Sequence, residues 1–338
     1  MKFKVFIPLV LISTLFLYVV STNKGTQKNG IETQIKYLSK CKEIPNNLND
    51  EIAFFKDSCT KQQLLALMHF KKPIIRAFAF CAMLERKDID VFPILRENLS
   101  DTTLIMWWYY SDAGNTVYLS DFYINKASNR ISKSQLKELK NLILTKHSYL
   151  QNTYWIMEEM EPEERYYKLI KGFSQKKNDL CNRERAVLAL SKFKKQEDLL
   201  FIKHVIQKSE CEFLSFKLIE HWPHEVFFNV LLDYAKTKIL NDKRDVVFEI
   251  DDFCYATASY KNKKAAELLK KIITIENYKK PTDLSNLKES VYRAVRFYNC
   301  TFYHELITNL NLEIDPYLEL ENDDYFERYN FDRWYYAN

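Results

Sequence analysis

Residues 73–84 read PIIRAFAFCAML, followed by Asp88 and by VFPIL at 91–95. Residues 182–190 read NRERAVLAL, followed by Asp198 and by FIKHVI at 201–206. Both stretches hold an Arg-Ala pair (Arg76-Ala77, Arg185-Ala186), an apolar helical face, an aspartate twelve or thirteen residues after the arginine, and a second apolar segment. Apolar spacing of this period predicts short helices in pairs, and its recurrence predicts that the pairs stack.

The two stretches resemble the HEAT-repeat family, whose units are helix pairs with an alanine-rich first helix and an aspartate at the turn. The resemblance is clearest over 73–99 and 180–208 and continues more weakly through 211–239, 245–275 and 284–311. It implies an all-α, right-handed α-solenoid of antiparallel helix pairs, with Arg76, Asp88, Arg185 and Asp198 as structural residues of the repeats. It carries no catalytic residue. An irregular all-helical bundle is the other architecture that the pattern allows.

Outward from these stretches, helix starts recur. Thr60…Gln63, Ser132…Gln135 and Ser209…Glu212 read as capping boxes, and Pro73, Pro162 and Pro223 sit where a first helical position is expected. Residues 60–312 are therefore expected to form one helical repeat domain, preceded by a polar linker and first helix at 22–59. The chain has only four glycines in 338 residues. It holds no glycine-rich phosphate loop, dinucleotide fingerprint or nucleophile elbow, so those chemistries have no support. Gly172 reads as a left-handed cap ending the helix begun at Pro162.

One segment breaks the helical period. Aromatic and β-branched residues flank Gly114 across 104–119, which predicts a β-hairpin inserted in the helical body. Trp107, Trp108, Tyr109 and Asp112 at its turn are the expected partner-binding residues, because tryptophan and tyrosine dominate interface hot spots.

The ends carry separate signals. Lys2 and Lys4 precede sixteen uncharged residues, Val5–Val20, so residues 1–21 read as a signal peptide or an N-terminal membrane anchor spanning 5–20. Either reading makes the body extracytoplasmic. Residues 313–338 hold eight acidic residues against Arg328 and Arg333, a net of −6, while the whole chain is +5. Eight aromatics in the same stretch predict an acidic tail docked on its own basic body. Among seven scattered cysteines, Cys41 and Cys59 flank a polar stretch and are the pair offered for a local disulfide.

Motifs for chemistry are scarce. His221 and His224 form the one close histidine pair, but Pro223 between them breaks the shared helical face that a zinc-protease pair requires. They remain weak metal candidates, with His204 and Cys211 nearby. No cofactor is implied. The expected function is a non-catalytic protein-interaction scaffold, exported or membrane-tethered, whose partner is another protein. A metal-dependent hydrolase using His221, His224 and nearby carboxylates is the alternative. A lesser one is a basic solenoid on anionic envelope polymer or nucleic acid; the exported address makes nucleic acid the poorer ligand.

Overall fold

The computed structural model describes residues 25–45, 49–108, 113–176, 181–240, 249–274 and 281–311. Among these the chain is almost entirely helical, with one small three-stranded sheet. It divides into two compact units between Thr153 and Tyr154. No helix of the described residues is long and apolar enough to cross a membrane. The expected signal or anchor at 1–21 and the acidic tail at 313–338 lie outside the described residues.

The first unit holds α1 (Gly25–Leu38), β1 (Glu43–Ile44), α2 (Asn49–Ser58), α3 (Lys61–Leu67), α4 (Pro73–Leu84), α5 (Phe92–Glu97), β2 (Leu104–Trp108), β3 (Gly114–Tyr118), α6 (Leu119–Ala127) and α7 (Lys133–Lys146). The described residues of region 22–59 hold α1, β1 and α2. Helix α4 is apolar nearly all round, which requires burial on every side. It packs against α2, α3 and α6. Thr60 and Ser132 form the expected capping boxes, each side chain accepting an amide at 3.2 Å while the glutamine three residues on reaches back.

The hairpin forms as expected. Strands β2 and β3 pair antiparallel from Leu104↔Tyr118 to Trp108↔Gly114. A Cβ on Gly114 would stand 2.8 Å from the Trp107 carbonyl and 2.9 Å from the Trp108 ring, so only glycine fits there. Strand β1 adds a parallel neighbour, setting Ile44 against Trp107. Period-two alternation buries Ile105, Trp107 and Val117 on one face.

The second unit holds the end of α8 (Asn152–Glu159), then α9 (Glu164–Ser174), α10 (Asn182–Ser191), α11 (Leu199–Ile206), α12 (Glu212–His221) and α13 (Glu225–Tyr234). It continues with a π-helical turn (Ala235–Leu240), α14 (Ile250–Ala258), α15 (Lys263–Ile273), α16 (Pro281–Phe297) and α17 (His304–Asn311). Two rows emerge. Helices α9, α10, α12, α14 and α16 pack in succession, and α11, α13 and α15 follow one another beside them. This layering is compatible with a helical-repeat fold.

Local start signals misplace several ends in this unit. Ser209 caps the Cys211 amide at 3.0 Å instead of Glu212, so α12 starts with Cys211 at its N-cap and the expected capping box does not form. Pro223 falls two residues before α13, which His224 caps through Nδ1, accepting the Val226 amide at 3.2 Å. Helix α9 starts at Glu164, two residues beyond Pro162. Gly172 lies inside α9 without positive φ, and a Cβ there would meet nothing within 4 Å.

Candidate functional site

The arginines of the two sequence stretches are both anchoring groups. Arg76, at the first turn of α4, donates to the Phe70 carbonyl at 2.8 Å, to Thr103 Oγ1 at 2.9 Å and to Asp101, whose second oxygen stands 3.1 Å away. It ties the start of α4 to the loop that launches the hairpin. Arg185, at the first turn of α10, pairs instead with Glu158 of α8 and lies over the Trp155 ring at 5.9 Å.

The two turn aspartates diverge. Asp198 is 1% exposed, accepts from the Tyr167 hydroxyl at 2.8 Å and pairs with Lys171 at 2.7 Å. Burial, and hydrogen bonds to Glu197 and Asp198, push the Tyr167 hydroxyl up to about 12. Asp88 is exposed and pairs only locally with Arg86, at 2.6 Å. The bond to Arg86 holds its carboxyl below the ordinary range.

Around Arg185 a larger set assembles. Glu158 also faces the Lys217 ammonium at 4.0 Å, and Lys192 donates to the Glu158 and Met160 carbonyls, the latter at 3.2 Å. Lys217 lies 5.7 Å from the Phe213 ring centre. The same pairing of cation with ring returns on α16, where Arg296 lies 5.4 Å from the Tyr292 ring, and Lys261 stands 5.6 Å from Tyr298. Tyr298 in turn donates to the buried Glu220 of α12 at 2.7 Å. Cation-over-aromatic pairs therefore recur along the row α10, α12, α16, where each is worth about 0.5–1 kcal/mol at an exposed site and more when desolvated.

No protein-family model matches this chain, and no curated protein or solved structure is similar to it.

Of the expected partner-binding residues of the hairpin, Trp107 and Trp108 lie among the described residues. Trp107 is 3% exposed and packs edge-on against Phe122 at 5.3 Å, with the Lys126 ammonium 5.1 Å from its ring. It is a core residue, because the pleat turns it toward α6. Trp108 is half-buried and donates from Nε1 to Glu43 at 2.9 Å. Tyr109 and Asp112 lie outside the described residues.

The histidines are occupied or isolated. His224 Nδ1 is the helix cap just described. His221 ends α12; desolvation, then the charges of Lys194 and Lys192, hold its ring below the ordinary histidine value. Among the described residues no three His, Cys, Asp or Glu side chains converge as metal ligands. Cys211 is not a thiolate: it forms a disulfide with Cys181 across thirty residues.

That bridge replaces the expected one. Cys41 and Cys59 are both free thiols. Cys59 is buried at the end of α2, its thiol pushed up to about 12 by burial, whereas Cys41 follows α1 and aims its sulfur at the Tyr37 carbonyl, 3.9 Å away. Proximity in sequence across a polar stretch did not bring the two together. The observed pair instead joins the two residues that precede α10 and α12, neighbours in one row. Cys181 adopts a left-handed backbone there (φ 65°), ahead of the first helical residue.

Proposed function

We propose that this chain is a non-catalytic interaction scaffold: an exported or membrane-tethered, right-handed solenoid of antiparallel HEAT-like pairs that binds another protein along the row α10, α12, α14 and α16. The observation that carries it is the recurrence of cation–aromatic pairs on three helices of that row, α10, α12 and α16. Arginine and large aromatics are the residues enriched at interface cores, and here they sit on a stacked, rigid support. The Cys181–Cys211 disulfide supports an extracytoplasmic address, since such bonds persist in oxidising compartments. If the segment 5–20 is retained, it tethers the scaffold to a membrane.

The test is quantitative affinity enrichment from envelope extracts with the intact chain and with Lys217→Glu plus Arg296→Glu. One partner retained by the former and lost by at least tenfold with the latter is expected. Equal retention overturns the reading. The hydrolase alternative is checked by metal analysis of the purified protein: stoichiometric zinc that disappears in His224→Ala would displace the scaffold.

A further inference from the structure

A cavity of about 280 Å³ opens in the second unit where α11 ends, α12 begins and α13 loosens into its π-helical turn. Its wall includes Ser209, Glu212, Ser215, Phe216, Asp233 and Tyr234. π-Helical turns are rare and concentrate at functional sites, and none of these residues takes part in the cation–aromatic pairs described above.

The wall combines negative charge, aromatic surface and an unused hydroxyl. Glu212 and Asp233 supply carboxylates, and the cation beside them, Lys238, reaches Glu212 only at 3.8 Å with its side chain half exposed. Phe216 and Tyr234 meet edge to face at 4.7 Å, and Tyr234 stacks on Phe253 at 5.3 Å. Ser215 is 3% exposed, and its hydroxyl has no hydrogen-bond partner among the described residues. A helical serine usually returns its hydroxyl to the carbonyl four residues back. Here that carbonyl, on Cys211, already accepts the Leu214 and Ser215 amides at 3.1 and 3.3 Å.

Behind the wall, Glu249 at the start of α14 hydrogen-bonds Glu212. Desolvation, that bond and Glu212's charge, with Asp252 adding and Lys238 opposing, push Glu249 up to about 7. Tyr234 is raised as well, by burial and then by Glu249 and Glu212. A like charge alongside disfavours ionisation, so Glu249 holds its proton to a higher pH than an ordinary carboxyl.

These features select among ligands. Carboxylates repel anions, and no metal-ligand group forms among the described residues. An ammonium group satisfies all three elements at once: it donates to a carboxylate and a hydroxyl, and it is attracted to ring faces. The volume lies just below the usual range of ligand pockets, about 300–1,000 Å³, which restricts the ligand to a small one.

We propose that this cavity binds a small organic ammonium compound, with Glu212 as counter-ion, the Ser215 hydroxyl as an acceptor and Phe216 with Tyr234 as the aromatic wall. The arriving cation favours the ionised form of Glu249, whose proton leaves to solvent. Binding therefore tightens as pH rises from 5.5 to 8.

Isothermal titration of the full chain with butylamine and with 1,4-diaminobutane tests this, with butanol, 1,4-butanediol and calcium chloride as controls. A 1:1 complex is expected with at least one amine and with no control, weakening tenfold or more from pH 8 to pH 5.5. At pH 6.5, heats measured in buffers of different ionisation enthalpy should show proton release. Glu212→Gln should abolish binding. Should that variant fail to fold, Thr237→Trp, placed at the exposed mouth, should block the cavity and abolish binding in a protein with native circular dichroism. Absence of amine binding at millimolar concentration, binding of the alcohols or calcium alone, or binding that survives both variants overturns the proposal.

Discussion

Helix α4 of the first unit and helix α10 of the second share the Arg-Ala signature, yet their surroundings use it differently. Arg76 is held by a carbonyl, a hydroxyl and a carboxylate, whereas Arg185 is held by the carboxylate of Glu158 and lies over Trp155. The turn aspartates differ more sharply: the side chain of Asp198 is 2% exposed, that of Asp88 59%. The signature therefore specifies a helix and a partly buried arginine on it. It does not specify the partner, and the aspartate becomes structural only where a neighbouring helix, here α9 with Tyr167 and Lys171, covers it.

Substitutions can break that contrast or sharpen it. The largest effect belongs to the first unit: Trp107→Ala should lose about 3–5 kcal/mol by chemical denaturation, the usual cost of emptying a large buried aromatic site. A loss below 1 kcal/mol would mean that the hairpin is not part of that core. In the second unit, Cys181→Ser with Cys211→Ser should lose about 3–4 kcal/mol, since the bridge closes a thirty-residue loop. The same change applied to Cys41 and Cys59 should show no loss of a cross-link by thiol titration, because both are free already.

Asp198→Ala should cost about 2 kcal/mol, discounted for the partial exposure of Lys171. Asp88→Ala should leave stability unchanged within the error of denaturation, as expected of an exposed local pair. Equal effects of the two would erase the contrast. The smallest resolvable effect is a pH slope. Glu249 binds its proton more tightly folded than unfolded, so between about 4.5 and 7 the native state holds the extra proton and stability falls as pH rises. The loss should be on the order of 1 kcal/mol after allowance for solvent screening, and Glu249→Gln should flatten it in thermal melts across pH 5–7.5.

The helical character and the hairpin were legible because each rests on local rules: apolar period, capping boxes at Thr60 and Ser132, and a glycine that the approach of Trp107 and Trp108 requires. What escaped was non-local. Strand β1 is two residues long, and no pattern in Glu43-Ile44 announces that it will pair with Trp107 sixty residues on. The disulfide joins Cys181 to Cys211 because α10 and α12 pack together, a fact that spacing between cysteines does not carry. Ser209, Pro162, Pro223 and Gly172 looked like boundary residues. Each was outcompeted by a neighbour that the packed helices placed better, as when His224 capped α13. The division at Thr153/Tyr154 left no trace in composition. For the site, Arg76 and Arg185 were readable as anchors. Nothing local to Glu158 marks it as the partner of Arg185, and the cavity beside Glu212 depends on three helix ends meeting.

Site-specific photo-crosslinking in the producing cell tests the scaffold reading most directly, with a benzophenone side chain placed at Phe213 of α12 or at Leu200 of α11, whose side chain is 75% exposed in the other row. The expected result is one recurrent protein adduct from position 213, lost when Lys217→Glu is added, and none from position 200. Adducts from position 200 alone, or from neither position while the protein is folded and abundant, would contradict binding along the row α10, α12, α14 and α16.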